Sequence, residues 1–126
     1  MRFVLKGQVR GGKNNIFVTK DGRRFPNPQF KAWATQAHYQ LCSQTVQYRY
    51  QLPIDTHEYS WVFLYTPEDN RRRDCTAVLY GVMHVLESSK IVTDDRYVST
   101  LSFETTKPDK LNAGIIIDVV KKSQEG

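Results

Sequence analysis

The stretch that decides the fold runs from residue 57 to residue 86 and reads HEYSWVFLYTPEDNRRRDCTAVLYGVMHVL. In its first part aromatic residues alternate with other side chains, which predicts a β-strand from His57 to Tyr65. A turn and a run of arginines follow. From Asp74 onward the apolar residues recur at the i, i+3, i+4 and i+7 spacing of a helix with one buried face. This predicted buried face comprises Cys75, Val78, Leu79, Val82, Val85 and Leu86.

The residues before this stretch predict further strands and another helix. Residues 2–9 alternate apolar and polar side chains as a strand does. Asp21-Gly22, between two short β-type segments, is a hairpin signal. Asn27-Pro28 begins a helix, because it combines a capping side chain with a proline at the first helical position. The buried stripe of that helix comprises Phe30, Trp33, Ala34, Ala37 and Leu41.

Two more strands complete the prediction, at Tyr97–Phe103 and Ala113–Val120, with a turn around Pro108 between them. The order strands, helix, strand, helix, strands does not alternate strictly. It therefore indicates an α+β (mixed α/β) fold with a mixed sheet and two main helices. At 126 residues the chain is long enough to bury a core and too short for two ordinary domains. We expect a single domain over residues 1–126.

The composition excludes several classes of protein. A hydrophobic content of 40% with 12% aromatic residues excludes an intrinsically disordered chain. No apolar run approaches the roughly 20 residues of a membrane span, and no charged-then-apolar leader opens the sequence. Cys42 and Cys75 lack Cys-x-x-Cys spacing and are expected to be reduced. The expectation is a soluble, cytoplasmic protein that does not act at a membrane.

Positive charge is concentrated in two parts of the sequence. The net charge is +5, but residues 1–31 contain eight basic residues and one acidic residue. A second cluster, Arg71-Arg72-Arg73, runs into Asp74. Concentrated positive charge attracts polyanions, because neutralised phosphates release condensed counterions. Most basic runs on ordinary domains are only solvated, but two such clusters beside carboxylates favour nucleic acid as the partner.

Acidic residues stand at both ends of the second predicted helix. Asp74 is at its start, and Asp94 and Asp95 follow in the loop after it. Hydrolysis of a phosphodiester with magnesium requires carboxylate oxygens that converge on one hard cation. The structural alternatives are an N-cap for Asp74 and a polar turn for the Asp pair. Spacing alone leaves both interpretations open.

Segment 71–98 contains Arg71-Arg72-Arg73-Asp74, then an amphipathic helix, and then IVTDDRYV at residues 91–98. With these motifs in this order, the segment resembles the RusA family of Holliday junction resolvases. A glycine- and lysine-rich loop at residues 7–15, an aromatic-rich helix within residues 19–41 and a closing strand at residues 115–119 follow the order of that family. The resemblance therefore covers nearly the whole chain, and segment 71–98 is its most specific part.

This resemblance implies a homodimeric, bacterial or phage-encoded endodeoxyribonuclease that uses magnesium to nick four-way DNA junctions in recombination and repair. It implies Asp74 and Asp95 as ligands of Mg²⁺, with Asp94 beside them in the catalytic group or in the turn. It also implies phosphate contacts by a set of basic residues. That set comprises Arg71, Arg72 and Arg73 beside the cut site, with Lys13, Lys20, Arg23 and Arg24 extending the basic surface.

The sequence also departs from the usual motif of the family, Asp-x-Asp-Asn-x-x-Lys. Asp74 keeps the first acid, but the second acid falls on Thr76, the asparagine on Ala77 and the lysine on Tyr80. A later acid of the family falls on His84. Thr76, Tyr80 and His84 follow each other at i, i+4 spacing, so they share one face of the helix, opposite its buried side.

Three functions are compatible with these residues. The first is a RusA-like endonuclease selective for branched DNA. The second is a catalytically impaired RusA-like protein that binds branched DNA without cutting it, which the replacements at Thr76 and Tyr80 favour. The third is a basic nucleic-acid-binding module unrelated to the family, which would require segment 71–98 to match by chance.

The remaining polar candidates have simple structural interpretations. His38, His57 and His84 lack the spacing of zinc ligands. His84 falls on the same helix face as Tyr80, where an exposed neutral histidine is the simpler interpretation. Asp118 interrupts an apolar strand, so it either faces solvent or lies beside a cation. Because Ile115, Ile117 and Val119 already form one buried face, the pattern favours the solvent-facing position.

Overall fold

The structure is a computed structural model, and it describes eight parts of the chain: residues 1–10, 16–18, 20–22, 24–26, 28–54, 58–71, 73–92 and 101–122. At residues 16–18 and 24–26 it describes the backbone alone. The strands and helices follow in the order β1 (Arg2–Lys6), β2 (Ile16–Val18), β3 (Arg24–Pro26), α1 (Pro28–Thr45), β4 (Tyr59–Thr66), α2 (Cys75–Ser88), β5 (Leu101–Thr105) and β6 (Gly114–Lys121). A 3-10 turn, Val46–Tyr48, extends α1.

The strands form a mixed four-stranded sheet in the order β1-β6-β4-β5 and a separate two-stranded sheet of β2 and β3. In the larger sheet β6 is antiparallel to both of its neighbours, whereas β4 and β5 are parallel. Parallel neighbours require a crossover connection, and α2 supplies it between β4 and β5. A mixed sheet with two helices confirms the predicted α+β fold. The antiparallel β2–β3 pair also confirms the hairpin at Asp21-Gly22.

The core lies between one face of the four-stranded sheet and the two helices. Alternate residues of the three neighbouring strands point to this face and are buried: Phe3 and Leu5 in β1, Ile115, Ile117 and Val119 in β6, and Trp61, Phe63 and Tyr65 in β4. The helices cover them with Phe30, Trp33, Ala37 and Leu41 from α1 and with Val78, Val82, Val85 and Leu86 from α2. Burying one such aliphatic or aromatic side chain stabilises the fold by about 1.5–3 kcal/mol. In the described residues, no helix is both long and apolar enough to cross a membrane.

The free edge of β1 is occupied by side chains of α1 rather than by another strand. Gln44 accepts a hydrogen bond from the backbone N of Val4 through Oε1 and donates one to its carbonyl through Nε2, both at 2.7 Å. One turn earlier, Gln40 Oε1 accepts from the backbone N of Lys6 at 2.8 Å. One turn later, the Tyr48 hydroxyl accepts from the backbone N of Arg2 at 3.2 Å. This edge cap, formed by Gln40, Gln44 and Tyr48, satisfies groups that an open edge would offer to another chain.

The structure corrects the sequence-based expectation at the first strand and at Cys75, and two further expectations fall outside the described residues. The first strand ends at Lys6 rather than at residue 9, because Gly7 takes a positive φ of 94° that breaks the extended backbone. Cys75, predicted in the buried face of α2, is exposed, since it stands in the first turn of the helix. The predicted cap Asn27 and residues 97–100 of the predicted strand lie outside the described residues.

The edge cap predicts a stability effect that helix propensity cannot produce. Gln44→Ala leaves the partly buried N–H and C=O of Val4 without their partner, so we expect unfolding to become easier by about 1–3 kcal/mol. The control is Gln36→Ala, the same substitution at an exposed position of the same helix. Urea unfolding followed by circular dichroism measures both, and equal values for the two variants would contradict this role of Gln44.

Candidate functional site

The candidate site lies where the chain leaves the end of β4 and enters α2. Asp74 is the N-cap of α2, with φ −78° and ψ 114°, and its Oδ1 accepts a hydrogen bond from the backbone N of Thr76 at 2.9 Å. The side chain is exposed, and its Oδ2 receives no hydrogen bond from the described residues. Capping therefore uses one carboxylate oxygen, and within the described parts of the chain the other is open to a cation or to water.

The loop before Asp74 is held in shape by Arg73. The side chain of Arg73 is only 17% exposed, and its Nη2 lies 2.8 Å from Asp69 Oδ1 and 3.8 Å from Glu68 Oε1. Its Nη1 also donates to the backbone carbonyls of Asp69 and Arg71, at 3.2 and 3.3 Å. Arg73 thus has its charge balanced and its donors engaged within the loop. Its predicted contact with phosphate would compete with these bonds.

Asp69 is the acceptor that organises this loop. The backbone N of Arg71 donates to its Oδ1 at 2.9 Å, and this bond, with the nearby guanidinium of Arg73, holds the pKa of Asp69 below its ordinary value. Because the folded state lowers this pKa, the contribution of the carboxylate to stability is present at neutral pH. That contribution is lost as the pH falls through the lowered pKa.

Gln8 ties the same loop to the sheet, and sequence reasoning missed it. Its Oε1 accepts from the backbone N of Glu68 at 2.8 Å, and its Nε2 donates to the Tyr65 hydroxyl at 2.6 Å. The backbone N of Asp109 adds a bond to the Pro67 carbonyl at 2.9 Å. A single glutamine beyond the end of a strand gives no sequence signal for such a bridge. The bridge depends on the fold, which brings residues 8 and 68 together.

The exposed face of α2 is arranged as the sequence predicts. Thr76, Tyr80 and His84 are all exposed, whereas Val78 and Val82 on the other side of the helix are buried. The Tyr80 side chain is 51% exposed. The His84 ring contacts the ring of Phe30, with 5.7 Å between their centroids. An exposed face about three turns long therefore extends from Asp74 to His84 along α2.

The structure brings together only part of the predicted site. Asp74 and Arg71, whose side chain is exposed, lie in the same loop–helix segment. Lys20 is exposed in the β2–β3 turn, and Arg24 belongs to β3, of which only the backbone is described. Outside the described residues lie Asp94, Asp95, Lys13, Arg23, Arg72 and also His57. In the described parts of the chain, no three His, Cys, Asp or Glu side chains are grouped as a metal site would require.

Asp118 lies on the outer face of the sheet, opposite the core. Its carboxylate forms a two-bond ion pair with Arg2 on the neighbouring strand, from Nε to Oδ1 at 2.7 Å and from Nη2 to Oδ2 at 3.0 Å. This pair raises the pKa of Arg2. Asp118 therefore combines the two positions that the sequence left open, since it lies on the non-core face and beside a cation. It belongs to the β1–β6 pairing rather than to the site at α2.

No protein-family model and no curated protein matches the sequence.

The capping geometry separates two substitutions at Asp74. Asparagine keeps an oxygen that can accept from the backbone N of Thr76, so Asp74→Asn should leave the free energy of unfolding nearly unchanged. Alanine has no acceptor, and Asp74→Ala should destabilise the protein by about 1 kcal/mol. Thermal and urea unfolding of the two variants measure this difference. An equal loss in both variants would show that the charge of Asp74, rather than its cap, is what stabilises α2.

Proposed function

We propose that this protein is a RusA-like, structure-selective endodeoxyribonuclease that binds four-way DNA junctions as a homodimer in the cytoplasm and nicks them with magnesium. The observation that supports this most is the position of Asp74. Its exposed carboxylate, with Oδ2 not engaged by the described residues, comes three residues after the exposed Arg71 and stands at the start of a polar helix face. An oxygen ligand and a side chain suited to phosphate in one short segment, which resembles the family, support the proposal.

The residues at the start of α2 fit a magnesium site of the kind that works on phosphates. Mg²⁺ prefers oxygen ligands, keeps several waters, and is usually held by one or two carboxylates together with substrate phosphate. When bound, Mg²⁺ stabilises the charge that develops on phosphate oxygens during hydrolysis. Asp74 would hold the cation through Oδ2, Arg71 would bind the DNA backbone, and the Thr76 hydroxyl would orient a nearby water.

Asp95 can bind the same cation as Asp74 only if its carboxylate comes close to the start of α2. Helix α2 has fourteen residues and spans about 21 Å, with Asp74 at one end. At the other end, the backbone N of Ile91 donates to the Leu86 carbonyl at 3.0 Å. Asp95 shares a cation with Asp74 only if residues 93–95 return along α2 towards its start. Replacing Mg²⁺ by Fe²⁺ and mapping the backbone cuts made by iron-generated radicals tests this, because a shared site predicts cuts near both residues.

A second candidate function is binding of branched DNA without cleavage. The specific observation in its favour is that Thr76 and Tyr80, which replace an acid and a lysine of the family motif, are both exposed on the face beside Asp74. A single carboxylate at this point gives a weak cation site, since the charge of the ligands sets affinity. In this case Asp74 acts mainly as the helix cap and Arg71 still binds phosphate.

Both candidate functions predict electrostatic binding to a four-way junction without magnesium. Affinity should fall steeply with salt, because each phosphate contact adds about −0.9 to the slope of log K against log salt concentration. Arg71→Gln should weaken binding and reduce that slope by about 1. The control is Lys121→Gln, a change of the same charge at an exposed residue that pairs with Tyr59, at the far end of β4. Fluorescence anisotropy measures the slopes, and salt-independent binding would exclude both functions.

Cleavage separates the endonuclease from the binder. In the endonuclease, Asp74→Asn should lower magnesium-dependent nicking of a labelled junction by about tenfold or more while junction affinity and stability stay near wild type. The control is Glu87→Gln, which removes an exposed carboxylate from the other end of α2. Cutting that survives Asp74→Asn would place the site elsewhere.

The binder predicts the opposite pattern in the same assay. Wild-type protein should bind the junction and cut nothing. Thr76→Asp with Tyr80→Lys should then create magnesium-dependent nicking, because a second carboxylate strengthens the cation site and a lysine stabilises charge on phosphate.

A further inference from the structure

Three side chains at the end of α1 and the end of α2 form a hydrogen-bonded series that the proposed function does not use. Cys42 Sγ lies 3.4 Å from Nε2 of His38, which is one turn earlier on α1. The other ring nitrogen of His38, Nδ1, lies 2.9 Å from Oγ of Ser89, the residue that caps the end of α2. The histidine therefore stands between a thiol and a hydroxyl that come from two different helices.

This order is that of a nucleophile, its base and the group that orients the base. When the proton of the neutral ring is on Nδ1 and is donated to Ser89 Oγ, Nε2 carries the lone pair that accepts from the thiol of Cys42. Cysteine nucleophiles are commonly activated by an adjacent histidine whose second nitrogen is held by a further partner. Ser89 has this positioning role, and His38 is the base.

The surroundings of Cys42 provide room and positive charge for a small partner. The thiol is exposed, and Thr45 and Val46, one turn later on the same side, line a groove of about 460 Å³. Arg49 and Lys90 also line this groove, and Ser89 forms part of its wall. A second groove, of about 360 Å³, begins on the other side of His38 between α1 and α2. The groove that begins one turn after Cys42, and that shares Ser89 with the hydrogen-bonded series, thus carries two cationic side chains.

We propose that Cys42 is a modification site that exchanges with low-molecular-weight anionic disulfides. The Cys42 thiol gives its proton to His38 Nε2, and its sulfur attacks one sulfur of the disulfide R–S–S–R. The S–S bond of the reagent breaks, and the leaving thiolate takes the proton from His38. The products are Cys42–S–S–R and one R–SH, so the reagent disulfide is the oxidant. Arg49 and Lys90 attract reagents whose R group carries a carboxylate.

Cys75 provides an internal comparison for this proposal. It is the second free and exposed cysteine, and it begins α2 directly after the carboxylate of Asp74. Among the described residues no histidine or hydroxyl lies within hydrogen-bond distance of its thiol. The reaction rate of Cys75 therefore shows how reactive an exposed thiol at the start of a helix is when no base lies beside it.

The experiment measures the reaction rate of one thiol at a time in the full chain. Cys42 is measured in a Cys75→Ser background, and Cys75 is measured in a Cys42→Ser background. The probe is the dianionic bis(carboxynitrophenyl) disulfide, whose released thiolate absorbs visible light, and mass spectrometry confirms the adduct. In the Cys75→Ser background, His38→Gln should slow the reaction at least about tenfold. In the Cys42→Ser background the same change should leave the rate of Cys75 unaltered. Equal effects of His38→Gln on both thiols, or none on Cys42, would overturn the proposal.

Two further comparisons keep the test independent of any loss of folding in His38→Gln. Ser89→Ala should slow Cys42 several-fold, whereas Ser89→Thr, which keeps the hydroxyl, should retain the wild-type rate. Arg49→Gln with Lys90→Gln should slow the dianionic probe and leave the rate with neutral dipyridyl disulfide unchanged. If Ser89→Thr reacts as slowly as Ser89→Ala, the hydroxyl of Ser89 does not position His38. If Arg49→Gln with Lys90→Gln slows both probes equally, the two cations do not select anionic reagents. Either result would contradict the proposed site.

Discussion

The antiparallel pairing of β4 with β6 is the constraint on which the other parts of the fold depend. It joins eight residue pairs, from Tyr59 opposite Lys121 to Thr66 opposite Gly114. Because the side chains alternate, one face of this ladder presents buried aromatic and aliphatic residues from both strands, and the two helices pack on that face. Gly114 lets the sheet continue to β1, since a Cβ at this position would clash with the carbonyl oxygen of Leu5. The other two strands of the four-stranded sheet are added to the two sides of this pair, β1 beside β6 and β5 beside β4.

The same pairing determines where the candidate site lies. Because β5 is parallel to β4, the chain must leave the end of β4, cross the sheet as α2 and begin again at the other end. The start of α2 is therefore fixed beside the end of β4, and the loop between them is short enough for Arg73 and Asp69 to hold it. Arg73 is engaged within the loop, whereas Asp74 and Arg71 are exposed at this point. The positions that carry the proposed chemistry follow from the topology of the sheet.

Sequence patterns predicted those features that depend on local periodicity. The aspartate before an apolar helical repeat indicated a cap as one of the two interpretations of Asp74, and the structure shows that cap. The 3.6-residue period predicted the exposed face with Tyr80. Features that depend on distant neighbours were not predictable. A glutamine such as Gln44 shows the same pattern whether it contacts water or a strand edge. The i, i+3 spacing also assigned Cys75 to the buried face, and this was wrong. Spacing along a helix does not show whether the sheet extends beneath its first turn.

The edge cap has a consequence for how the chain folds. The outer edge of β1 bonds to Gln40, Gln44 and Tyr48, whereas its inner edge bonds to β6. The contacts of β1 with α1 span about 34 to 40 residues of sequence, whereas its partner strand β6 comes last in the chain. Contacts between residues closer in sequence cost less loop-closure entropy than distant ones. We therefore expect the outer edge of β1 to be satisfied no later than its inner edge, so that an incompletely paired β1 offers another chain one strand edge instead of two.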